Sequence, residues 1–317
     1  MTKTRKTEPA VMTMQFDFTI ASGTPEYIDL SQCASLINRR FYRQGINWVV
    51  SGFKFLTPTG VSGTFGVSKL QHNWVMAQAW KKAFALWNRQ QMEAIEEAGA
   101  ESAVARFRDF KIHADVNHVT AGFAGNLLPS VGTLGSLDTA VAGEWQAAQI
   151  VLPNALPDAS GSLTQPVEYV LHMHGVNNNA GISRGLVEGY ADSRAYPQSP
   201  DPVSPVIASA QNWMRGMFDD GNSNPEITDN ATDRNDELPY PQVDYPGGEN
   251  QLNLMELHDF AGVTATTIGG TTLMRGGAFP CGLIRIDWSG DAAQVVLLVN
   301  MVPGPHRGYL CEKMQDV

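Results

Sequence analysis

In Met14-Gln15-Phe16-Asp17-Phe18-Thr19-Ile20, apolar and polar side chains alternate without a break. A period of two marks an extended strand with one buried face and one wet face. The same texture recurs downstream. Residues 46–56 (INWVVSGFKFL) are rich in β-branched and aromatic side chains and bounded by Gly45 and Pro58, which predicts a second strand, bent at Gly52. Further strands are expected over 110–114, 145–152, 167–174, 182–190, 283–288 and 294–302. With the first two they make eight, separated by Gly, Pro, Asn and Ser clusters. That pattern predicts an all-β antiparallel sandwich or barrel rather than repeated βαβ units.

One segment departs from it. Residues 74–98 (WVMAQAWKKAFALWNRQQMEAIEEA) contain no Gly or Pro and are rich in Ala, Lys, Gln and Glu, with Trp80, Phe84 and Trp87 recurring at helical spacing. An amphipathic helix is expected, with Asn73 as N-cap and Gly99 as its stop. Two stretches read as neither strand nor helix: a neutral loop over 120–143, and a Pro-rich acidic loop over 195–259. The pairs Gly269-Gly270 and Gly276-Gly277 read as turns. Residues 1–12 read as a short basic mobile arm, and 13–317 as a single domain holding the helical insertion.

The chain has 317 residues, 43% of them apolar, enough for a substantial core. Only 17% are charged, against about 25% in an ordinary soluble domain. With 22 Lys and Arg against 32 Asp and Glu the net charge is −10, which excludes a uniformly basic, DNA-coating protein. Depletion of charge is expected where surface is buried against other subunits. Three scattered cysteines, Cys33, Cys281 and Cys311, do not form a disulfide framework and point to a reducing compartment. No apolar run has the length of a signal peptide core or a membrane span, so no membrane partner is expected.

Charge is unevenly placed. Between Asp219 and Asp259 acids outnumber bases heavily, whereas Lys3, Arg5, Lys6, Arg39, Arg40 and Arg43 all fall in the first 43 residues. The last three are interleaved with Phe41 and Tyr42, a composition able to contact phosphates and stack on unpaired bases. A salt-bridged turn before a strand is the competing reading.

Catalytic signatures are sparse. His172 and His174 sit at i and i+2 of an expected strand, on one face, where two imidazoles could share a metal with a distant acid or His258. No carboxylate follows until Glu188, so the pair reads first as polar residues on a solvent face. Asp229, Asp233, Asp236 and Glu237 offer hard oxygen ligands without EF-hand spacing, a weak cation site at best. Ser162 and Cys281 lie beside glycines and Ser183 stands between Gly181 and Gly185, but none reads as a nucleophile elbow, and Cys281 reads as a small buried apolar residue. No phosphate loop or dinucleotide fingerprint occurs. No cofactor and no enzymatic activity are expected.

The order of the pieces resembles a known family. The segments MQFDFTI (14–20), YIDLSQCASLINRRFYRQGINWVVSGFKF (27–55), RFRDFKIHAD (106–115), GISRGLVEGYADSRAYPQSP (181–200) and AFPCGLIRIDWSGDAAQVVLLVNMVPGPHRGYLCEKMQDV (278–317) look like capsid proteins of small circular Rep-encoding single-stranded DNA (CRESS-DNA) viruses. That resemblance implies an eight-stranded antiparallel jelly roll. It also implies self-assembly inside a host cell into an icosahedral virion shell of about 60 copies enclosing single-stranded DNA. Lys3, Arg5, Lys6, Arg39, Arg40 and Arg43 would face the genome, although many relatives carry a far longer basic arm than MTKTRK. Two other classes fit a β-sandwich: a cupin-like metalloenzyme using His172 and His174, and a viral receptor- or carbohydrate-binding domain.

Overall fold

The computed structural model describes residues 9–100, 109–133, 136–152, 167–176, 183–193, 252–266 and 270–314. In chain order the elements are β1 (Thr13–Ile20), β2 (Glu26–Asp29), α1 (Leu30–Asn38), β3 (Ile46–Leu56), β4 (Gly63–Lys69), α2 (Trp74–Glu97), α3 (Val116–Ala121), β5 (Ser130–Thr133), β6 (Ser136–Thr139), β7 (Gln149–Leu152) and β8 (Val167–His172). There follow β9 (Ser183–Gly185), α4 (Leu186–Asp192), β10 (Glu256–Val263), β11 (Thr271–Pro280), β12 (Leu283–Gly290), β13 (Ala293–Met301), β14 (Pro303–Gly304), β15 (Gly308–Tyr309) and β16 (Cys311–Lys313). The fold is mostly β and its large sheets are antiparallel. The chain forms two compact units, one from Met1–His72, Asn117–Gln146 and Met255–Val317, the other from Asn73–Val116 and Ala147–Leu254.

In the first unit, one sheet has the order β1-β13-β3-β11, with β16 also on β3, and a second has the order β10-β4-β12-β2. Their inner faces share one core. The alternation of β1 places Met14, Phe16, Phe18 and Ile20 in it, and β13 answers with Val295, Leu297, Val299 and Met301. Strand β3 contributes Trp48 and Val50, then Phe53 and Phe55, so its inward side chains change from even to odd positions. The change falls where pairing with β13 slips by one residue, Asn300 opposite Gly52 but Met301 opposite Val50. That bulge is the bend expected at Gly52, and it keeps both halves of the strand facing inward. Phe55 stacks on Phe65 of β4, the other sheet, with centroids 3.9 Å apart. Each such ring contributes about 1.5–3 kcal/mol through burial.

Five strands of these sheets, β2, β4, β10, β11 and β16, went unread in the sequence. β4 carries Gly63 and Gly66, and β11 carries Gly276-Gly277, which lie inside a strand rather than at a turn. Close approach explains the glycines: a Cβ at Gly63 would sit 2.6 Å from the Trp288 ring, and one at Gly276 would collide with the Val50 carbonyl on β3. β2 is four residues long, and β10 begins inside the stretch taken as an acidic loop. The stretch 120–143 holds a three-residue helical turn (Phe123–Gly125) and the β5–β6 hairpin, so it is not a featureless loop.

In the second unit, α2 matches its expectation. The Asn73 side chain caps it by accepting from Met76 N at 2.9 Å, and Gly99 closes it at φ +62°, with Gly99 N donating to Glu96 O and Ala100 N to Ile95 O. Trp80, Phe84 and Trp87 all pack on Phe110. β7, β8 and β9 form a small sheet. Residues 110–114 are not a strand there; they make a single bridge, His113 to His172. The strand expected over 182–190 is only β9, followed by helix α4, because Leu186, Val187, Gly189 and Ala191 bury one side of a helical turn as readily as one face of a strand. No helix among the described residues is long and apolar enough to cross a membrane.

Candidate functional site

The basic cluster is built around α1. Asp29 ends β2 and caps the helix: its Oδ1 accepts from Ser31 N at 2.9 Å, from Gln32 N at 3.3 Å and from the Ser31 hydroxyl. Its Oδ2 accepts from Gln44 Nε2 at 3.1 Å and from Trp145 Nε1 at 3.0 Å. Asp29 is fully buried, and burial raises its pKa while these donors pull it back.

The helix stops at Arg39, a left-handed residue with φ +52° whose N–H returns to Ser35 O. Arg40 donates from its guanidinium to the Pro9 carbonyl at 3.2 Å, and Val11 N donates to Asn38 Oδ1 at 3.0 Å. Tyr309 clamps the same place, donating to Val11 O at 2.7 Å while accepting from Asn38 Nδ2 at 2.8 Å. The start of the described chain is therefore moored on the C-terminal end of α1, where cations are also favoured by the helix dipole. Arg39 and Arg43 are exposed and Arg40 half-buried.

The two interleaved aromatics part company. Tyr42 is buried, its hydroxyl donating to Arg307 O at 2.9 Å, and belongs to the core. Phe41 stays 40% exposed, and its ring lies 6.3 Å from that of Trp145, tilted by 41°. Phe41 and Trp145 line an open cleft of about 260 Å³ together with Gln32, Arg39, Arg40 and Glu144. Trp145, Gln32 and Glu144 were missed in the sequence because nothing local ties them to the arginines. Arg307 was missed too; its guanidinium donates to the Phe41 carbonyl. Lys3, Arg5 and Lys6 lie outside the described residues, as do Asp229, Asp233, Asp236 and Glu237.

The histidine pair lies in the second unit, and it is not on a solvent face: His172 and His174 are both buried. His174 Nδ1 shares a 2.9 Å hydrogen bond with Asn253 Oδ1. Neither nitrogen of His172 has a hydrogen bond of ordinary geometry, although the Gly175 and Val176 backbone lies near enough to favour its cation. Burial dominates and lowers both pKa values to about 4. Among the described residues no three His, Cys, Asp or Glu are grouped so as to hold a metal ion. His258 belongs to the first unit, on β10, where its Nε2 lies 3.1 Å from Arg275 O and its ring meets Phe279 edge-on. Cys281 is fully buried and its thiol is pushed up by desolvation, in keeping with a packing role. Compared with family models, with curated proteins and with solved structures, the chain matches none.

Proposed function

We propose that this chain is the structural subunit of a viral capsid, a jelly roll that self-assembles into an icosahedral shell around single-stranded DNA. The strand order carries the reading. Setting aside β5 to β9 of the long insertion, β1, β2, β3, β4, β10, β11, β12 and β13 are the first to eighth strands of the two large sheets. The first pairs with the eighth, the eighth with the third and the third with the sixth. The second pairs with the seventh, the seventh with the fourth and the fourth with the fifth. This order supports the reading of a jelly roll, a fold that many capsid subunits use.

Jelly rolls also serve lectins and cupins, so the function rests on further features. Phe260 and Leu257 on the edge strand β10, and Leu273 on the edge strand β11, are more than half exposed, which suits burial against neighbouring copies. Arg39, Arg40 and Arg43 gather where the chain comes in from Lys3, Arg5 and Lys6, which precede Pro9 by six, four and three residues. A basic patch close in sequence to further basic residues suits contact with packaged phosphates.

Electron microscopy and light scattering of the full-length protein test the reading. Closed particles of megadalton size are expected. A stable monomer at micromolar concentration and near-neutral pH overturns it, and small oligomers favour a receptor- or carbohydrate-binding domain instead.

A further inference from the structure

We infer that the cleft beside α1 seats one unpaired nucleotide, its base stacked on Phe41 and its phosphate held by Arg39 and Arg40. This deepens the proposed contact with single-stranded nucleic acid and rests on that reading only for the source of the strand. Three observations meet in the cleft. The first is the aromatic wall. The N–H of Trp145 is consumed by Asp29, so its indole is held in place and presents ring surface rather than a donor, and Phe41 leans on it with its own ring partly open. Exposed aromatic faces of this kind bind bases without regard to sequence.

The second is a buried donor left over. His118 Nε2 and Asn126 Oδ1 lie 2.8 Å apart, and Asn126 Nδ2 donates to Gln32 Oε1 at 2.9 Å. His118 is itself stacked flat on Tyr27 at 4.3 Å, so the relay is rigid. Gln32 is fully buried, lines the cleft, and its Nε2 finds no acceptor among the described residues. A buried donor without a partner is costly, and a turn of the Gln32 amide toward the cleft would let the carbonyl of a stacked base satisfy it.

The third is charge. Arg39 and Arg40 stand on the same cleft as Glu144, an exposed carboxylate. A bare polyanion would be repelled by Glu144. A nucleotide has a phosphate for the arginines and a neutral base whose N–H groups, the N3–H of thymine included, can donate to a carboxylate.

The test uses full-length protein dispersed to subunits, as verified by light scattering, and fluorescein-labelled oligonucleotides followed by anisotropy. A thymidine 15-mer is compared with a 15-mer of abasic sites carrying the same backbone. The wild type is expected to bind the thymidine strand about tenfold more tightly. Phe41→Leu should erase that difference and leave abasic binding unchanged, whereas Arg39→Gly should weaken both. Equal affinity of the wild type for the two strands overturns the stacking site, without touching the capsid reading, which particle formation decides. A thymidine preference that depends on Phe41 supports the site even if no particles form.

Discussion

Trp145 donates its indole N–H to the buried carboxylate of Asp29, 116 residues earlier in the chain, at 3.0 Å. One carboxylate thus starts α1, holds Gln44 and fixes the aromatic wall of the cleft. Asp29→Ala should remove a helix cap worth about 1 kcal/mol and take the acceptor away from Gln44 Nε2 and Trp145 Nε1, at a cost of about 1–3 kcal/mol for a lost buried bond. A fall of about 2 kcal/mol or more in urea unfolding is expected, and an unchanged midpoint would show that the hub is not structural.

Arg39 separates fold from function. At φ +52° a side chain costs about 1–2 kcal/mol that glycine does not pay. Arg39→Gly should therefore melt no lower than the wild type while co-purifying less nucleic acid. The triple change Arg39→Ala, Arg40→Ala and Arg43→Ala should lower nucleic-acid content, read as the 260/280 nm absorbance ratio of purified particles, more than it lowers particle yield. Equal losses would assign these arginines to structure, a result most readily produced by Arg40, which holds Pro9.

Acid should loosen the second unit. An imidazole titrates ordinarily near 6.5, but His172 and His174 are held to about 4 by burial. Between those values the unfolded chain binds protons that the folded chain refuses, so stability is full above about pH 6.5 and falls as pH drops toward 4. The groups facing them are Asp115 and Arg184 for His172, and Asn253, Asp115 and His172 itself for His174. Full titration is worth about 3 kcal/mol per imidazole. Asp29 acts oppositely: its carboxyl is raised, so the part of its contribution that comes from binding a proton is lost as pH rises through the raised value, and it cannot cause the acid loss. Melting curves at pH 7.5, 6 and 5 should descend for the wild type and less steeply for His172→Leu; a flat wild-type profile would refute the assignment.

Association through the sheet edges should be breakable without unfolding. Phe260→Lys on β10 or Leu273→Lys on β11 places a charge on side chains that are 65% and 73% exposed, so each should shift melting by no more than about 0.5 kcal/mol. Particle yield in light scattering should nevertheless collapse. Normal particles from both variants would move the subunit contacts elsewhere.

Strand character was legible in clean alternation and in apolar runs of strand length, although the alternation at 110–114 proved to be only a single bridge. β1 and β13 show it, and β3 announced even its bend, because Gly52 interrupts an otherwise apolar run. The helix α2 was legible from cap to stop. What escaped were strands whose local composition argues against them: β4 and β11 carry paired or closely spaced glycines, and their pairing comes from neighbours that are distant in sequence. α4 was mistaken for strand because seven residues are too few to distinguish the two periods.

The site divides in the same way. The sequence alone determined the arginine-aromatic cluster at 39–43, the reading of Cys281 as a small buried residue and the imbalance of charge, since each depends on residue types at short spacing. Only the tertiary structure decided that Phe41 faces outward while Tyr42 enters the core, that Trp145 and Gln32 join the arginines, and that His172 and His174 are buried. Burial and convergence depend on which segments pack together, and packing is fixed by contacts across a hundred residues or more, where no local pattern reaches.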